Sequence, residues 1–177
     1  MERIDQALRP ADRRRGRPPS GQAMVEFVFV VFMLLVMLFA LIDFARVIFD
    51  REVMVNLSRE GSNLISRGTS MPDAMTAIFN SANPLNMQND GYVIMTAVYS
   101  NGGTNQVTSQ IMQGSHPEPS KVYNGGSITL PVTPNPLPQT NQYLFITEVY
   151  YQYQAITPIG KMLNFLMPTN LYDVAYF

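Results

Sequence analysis

The chain has 177 residues, a formal charge of −1, no cysteine and a single histidine. Disulfides, thiolate metal sites, cysteine nucleophiles and His–His metal pairs are therefore excluded. The near-zero charge gives no basic field for nucleic acid, and the chain carries no Walker loop, GxGxxG or GxSxG motif. Neither an enzyme nor a cofactor-binding protein is expected.

Residues 1–21 carry six arginines against three acids, a sum of +3, while residues 22–177 carry six bases against ten acids, a sum of −4. From Met24 to Ile42 Glu26 is the only charge. Nineteen residues of helix span roughly 28 Å, close to the ~30 Å hydrocarbon core of a bilayer. A secretory signal has a shorter apolar region, and Phe39-Ala40-Leu41 does not form a small-x-small cleavage site. The arginines before the segment hold the N-terminus in the cytoplasm by the positive-inside rule, so the remainder is exported.

A carboxylate inside a membrane costs roughly 2.5–3.5 kcal/mol at mid-depth and less near an interface. Two readings of Glu26 follow. It snorkels back to the cytoplasmic headgroups, or it meets a positive charge supplied within the membrane. The α-amino group of a neighbouring, freshly cut chain is such a charge. A cut after Gly21 would make Gln22 residue one and Glu26 residue five.

No proline or glycine interrupts Gln22 to Glu60. One long helix is predicted, loosening at Gly61 and ending near Gly68, with Asp43–Arg46 and Arg46–Asp50 pairs at helical spacing. Phe44, Val47, Ile48, Val55 and Ile65 form its apolar stripe, covering the following domain or packing on sister helices. Arg59 and Glu60 read as a solvated face.

Residues 69–177 are polar and low in charge. "MPDAMTAIFNSAN" predicts a short helix with Pro72 at its start, and "GYVIMTAVYS", apolar on both alternating faces, predicts a central strand. "NGGTNQVTSQIMQGS" predicts a turn and second strand; His116, in "SHPEPS", reads as a surface loop histidine. "KVYNGGSITLPVTPNPLPQTNQ" is too broken for regular structure throughout. In "YLFITEVYYQYQ", Tyr143, Phe145, Thr147, Val149, Tyr151 and Tyr153 share the face predicted to lie on the helix. "IGKMLNFLMP" is a short packed helix or a partner surface, and "LYDVAYF" a last strand. Paired carboxylates for a glycosidase are not recognisable among Asp73, Asp90, Glu118, Glu148 and Asp173.

"GQAMVEF" at the mouth of the apolar segment resembles the processing site of type IVb prepilins and pseudopilins. "FARVIFDREVMVNLSREGSNLISRG" and, more weakly, "FITEVYYQYQAITPIGKMLNFL" are similar to TadE-like pseudopilins. The resemblance implies a pilin-like α+β fold, a long helix on a small antiparallel sheet, in three parts. These are a cytoplasmic leader (1–21), a helix (22–68, its transmembrane part 24–42) and an exported domain (69–177). It implies cleavage between Gly21 and Gln22 by a prepilin peptidase, with Phe27 beside the motif and Glu26 pairing with a neighbour's N-terminus. It further implies a minor pseudopilin of a tight-adherence pilus or related secretion filament, in the inner membrane with a periplasmic domain. Other pilins and an assembly platform are its partners, and no cofactor is required. A bulk subunit would be shorter. The alternative is a signal-anchored periplasmic binding or scaffold protein that is never processed.

Overall fold

A computed structural model describes residues 20–102, 104–129, 140–162 and 168–177. The leader up to residue 19, residues 130–139 of the proline-rich loop and most of "MLNFLMP" lie outside them. The chain divides into two compact units, residues 1–37 and 38–177. In the first, the described residues are the opening turns of helix α1 (Ser20–Ser66), apolar and exposed to solvent.

α1 ends where glycine permits a left-handed turn. Gly68 has φ +92°, its N–H donates to the Ile65 carbonyl at 2.9 Å, and the Thr69 N–H donates to Leu64 at 3.1 Å. These paired bonds satisfy carbonyls the helix would otherwise orphan. The chain then enters α2 (Met71–Ser81), where Ser70 accepts the Asp73 N–H at 3.3 Å and Pro72 sits in the first turn. A short α3 (Met87–Asp90) leads into the sheet.

Strands β1 (Gly91–Ser100), β2 (Asn105–Gly114), β5 (Tyr143–Gln152) and β6 (Asn170–Tyr176) form an antiparallel sheet in the order β2-β1-β5-β6. β1 is central, and every residue in it except Tyr99 is buried, as its two-sided apolar pattern requires. Between β2 and β5 lies a two-residue hairpin, β3 (Tyr123–Asn124) with β4 (Ser127–Ile128). α4 (Pro158–Met162) lies between β5 and β6. The architecture is α+β: a long apolar N-terminal helix followed by a small four-stranded sheet.

One face of the sheet packs on α1 and α2 through Val93, Met95, Val149 and Tyr153 against Val47, Met54, Leu57, Ile65, Met75 and Ile78. Thr147, Phe145 and Tyr151 join that side, so the face assigned from β5's alternation is the helix face. The opposite face is covered as well, with Val98, Leu144 and Ile146 under Val122, and Tyr92, Ile94 and Tyr150 beside Tyr172.

Three details of α1 differ from expectation. Its seam runs through Asp43, Val47, Asp50, Met54, Leu57, Gly61 and Ile65, all buried, whereas Phe44 and Ile48 are more than half exposed. Gly61 does not loosen the helix. A β-carbon there would stand 2.5 Å from Ile78 Cδ1 and 2.9 Å from Thr147, so glycine lets α1 approach α2 and β5. Finally, Asp43 bonds to the segment after β5 rather than pairing with Arg46.

Candidate functional site

The four motif residues occupy the first two turns of α1. Gly21, Gln22, Glu26 and Phe27 are all exposed, and none of the described residues lies within 4 Å of where a Gly21 β-carbon would stand. Gln22 and Glu26, four residues apart, share a helix face about 6 Å apart along the axis. α1 contains a stretch of mean hydropathy 3.0, none of it buried. One N-terminal helix of that length and composition fits a single-pass membrane anchor.

Beyond the apolar stretch the helix is fastened to the sheet by polar groups. Asp43 is wholly buried. Its Oδ1 accepts the N–H groups of Ile156 (3.1 Å) and Thr157 (3.2 Å), and its Oδ2 accepts the Thr157 hydroxyl. The Tyr153 hydroxyl donates to the Asp43 carbonyl at 3.1 Å. Gly160 closes over this cluster, where any β-carbon would overlap Asp43 Oδ2. Burial alone would raise the Asp43 carboxyl, but the bonds from Thr157 and Ile156 outweigh it and hold it below the ordinary carboxylate value.

Asp50, two turns on, is driven the other way. Burial pushes it up, opposed by the half-exposed Arg46 guanidinium 3.9 Å away, and its Oδ1 has no hydrogen-bond partner among the described residues. Further along, Ser58 donates to Asp173 at 2.5 Å and Ser62 to the Ala175 carbonyl at 3.0 Å, tying α1 to β6.

A second polar centre lies on the far face of the sheet. Glu148, fully buried in β5, accepts the Ser120 hydroxyl, the Lys121 N–H (2.8 Å) and the Tyr172 hydroxyl (3.1 Å), with the Tyr150 hydroxyl 3.2 Å away. The Lys121 ammonium stands 3.8 Å over the Tyr172 ring, a cation–π contact. Burial and then the Glu148 charge push both phenols, Tyr150 and Tyr172, far above their ordinary value. A pocket of about 110 Å³ opens beside them, lined by Tyr92, Glu118, Lys121, Tyr150 and Tyr172. His116 is half-buried on its wall rather than a plain surface residue. The chemistry is that of a fastener: Glu148 pins residues 120–121 across the sheet.

Sequence reasoning placed Asp43 in a pair with Arg46 and Glu148 among unpaired carboxylates, and gave neither this fastening role. The signals were there: Asp43 is the first charge after the apolar run, and Glu148 is the one charge inside "YLFITEVYY". Each is a lone carboxylate at a place where burial demands hydrogen bonds.

The family described as TadE-like protein matches residues 21–63. The match runs from the glycine of the candidate processing motif to the part of α1 seated on the sheet. Over these residues, about a quarter of the chain, the protein is similar to that family, in line with the sequence resemblance. No curated protein and no solved structure matches the chain.

Proposed function

We propose, from the TadE-like match over residues 21–63, that the protein is a minor pseudopilin, cut by a prepilin peptidase between Gly21 and Gln22 and assembled into a tight-adherence pilus or related secretion filament. One observation carries the proposal. The family match begins at Gly21, and Glu26 follows at the required spacing on an exposed, membrane-length helix.

Cleavage after Gly21 frees an ammonium on Gln22 about one helical turn below Glu26. When a neighbouring subunit is displaced along the filament axis, its ammonium reaches the Glu26 carboxylate. An ion left alone in lipid costs roughly 2.5–3.5 kcal/mol at mid-depth, so pairing favours the register that joins the two charges. Phe27 and the apolar side chains after it pack among sister helices. Assembly, rather than turnover, is the activity. The basic leader keeps the N-terminus in the cytoplasm and the sheet domain in the periplasm, with the peptidase, other pilins and the inner-membrane platform as partners.

The test is the intact mass and N-terminal residue of protein isolated from membranes containing a prepilin peptidase. Wild type is expected to begin at Gln22, Gly21→Val to retain its leader, and Glu26→Ala to be cut but left out of filaments. A wild-type chain that keeps its leader overturns the proposal and leaves a signal-anchored scaffold.

A further inference from the structure

We infer that α4 and the residue pair before it form a second membrane contact, lying in the headgroup region of the outward leaflet beside the point where α1 leaves the lipid. The inference rests on the membrane reading of residues 24–42. Asp43 directly follows that segment, and its buried carboxylate grips Ile156 and Thr157. The grip holds Ile156 and Thr157 within hydrogen-bond distance of Asp43, and Gly160 packs on the same carboxylate, so α4 starts at the level of the residue that follows the membrane segment.

The side chains of this segment sort into two sets. Thr157 and Gly160 are buried against Asp43. Facing away are Ile156, 52 % exposed, and Met162, 81 % exposed, with Pro158 and Lys161 also exposed. Two large apolar side chains stand out at a height where α1 itself shows Leu41, Ile42 and Phe44 to its surroundings. In water that arrangement is unfavourable; at a lipid interface it is the expected one. Lys161 supplies the matching charge, since an ammonium on a flexible stem reaches phosphate while its carbons stay among apolar groups. The partner is therefore the phospholipid surface, continuous with the lipid already surrounding α1, rather than a second protein.

The native chain contains no tryptophan, so single tryptophans report without background. Met162→Trp, Phe32→Trp and Tyr143→Trp would be made in the full chain and reconstituted in phosphatidylethanolamine–phosphatidylglycerol vesicles. Some of the lipids would be brominated near the headgroup or deep in the acyl chain. All three positions are exposed, and Tyr143 lies at the other end of β5 from the Asp43 grip. Trp at 162 is expected to be blue-shifted and quenched most by shallow bromines, Trp at 32 by deep bromines, and Trp at 143 by neither. Water-like, unquenched emission at 162 with deep quenching at 32 overturns the inference and leaves the anchor intact. A blue-shifted but unquenched Trp at 162 means protein covers it, which also overturns the inference. Loss of quenching at 32 removes the membrane reading and the inference with it.

Discussion

Asp43 and Asp50 lie two turns apart on one seam of α1, and their surroundings act on them in opposite senses. Three hydrogen bonds favour ionised Asp43, while burial disfavours ionised Asp50. The signs of their pH dependence follow. Because its folded-state value is depressed, Asp43 contributes stability that is complete above the unfolded value of about 3.9 and lost as pH falls through the folded value. Asp50 has a raised folded-state value, so its ionisation penalty is absent below the unfolded value and complete above the folded one. Asp43→Asn is expected to cost roughly 1–3 kcal/mol at neutral pH, since an amide nitrogen cannot accept the Thr157 hydroxyl. Asp50→Asn removes a buried charge and is expected to raise the midpoint of thermal unfolding by a few degrees, a change on the order of 1 kcal/mol at this size. Thermal unfolding in detergent across pH 3–7 checks both. The two variants should approach wild type from opposite sides as the pH falls, and curves that stay parallel would refute the assignment.

At the scale of elements, α1 shows why its seam was hidden. Between residues 24 and 49 the helix is apolar nearly all round, so hydrophobic periodicity carries no phase there. The buried side is instead marked by Asp43, Asp50, Ser58, Ser62 and Gly61, residue types that normally signal a surface or a break. All but Asp50 are buried against a partner distant in sequence, which local pattern cannot supply. The strands were easier to read. β1 is apolar on both faces, as a central strand is, the flanking turns are rich in glycine and asparagine, and the helix-side face of β5 follows from period two alone. At the candidate site, the motif Gly21–Glu26 is a local spacing and visible in the sequence. The fasteners at Asp43 and Glu148 depend on loops closing from residues 156–157 and 120–121. The seam itself is testable. Met54→Ala, at a fully buried position, is expected to cost about 2–5 kcal/mol, and Phe44→Ala, 58 % exposed, no more than about 0.5 kcal/mol. Denaturant unfolding of the detergent-solubilised chain measures both. Equal losses would place the seam on the wrong side of the helix.

For the whole molecule, the proposed orientation rests on charge. The arginines of residues 1–21 resist translocation, and the rest of the chain carries a net −4 with no such barrier. In the proposed topology the part after residue 42 folds where disulfides form; it has no cysteine, and it relies on two covered sheet faces and buried polar fasteners. The same absence gives a clean orientation assay, because any introduced cysteine is the only thiol. Gln106→Cys places one on the exposed edge strand β2, and Gln6→Cys places one in the leader. The leader variant is made in the Gly21→Val background, so that cleavage does not remove the reporter. In spheroplasts, a membrane-impermeant maleimide is expected to label position 106 at once and position 6 only after permeabilisation. The reverse order would invert the topology and put the processing motif out of reach of a cytoplasmic-face peptidase. Labelling of both in intact spheroplasts would mean that residues 24–42 do not span the membrane.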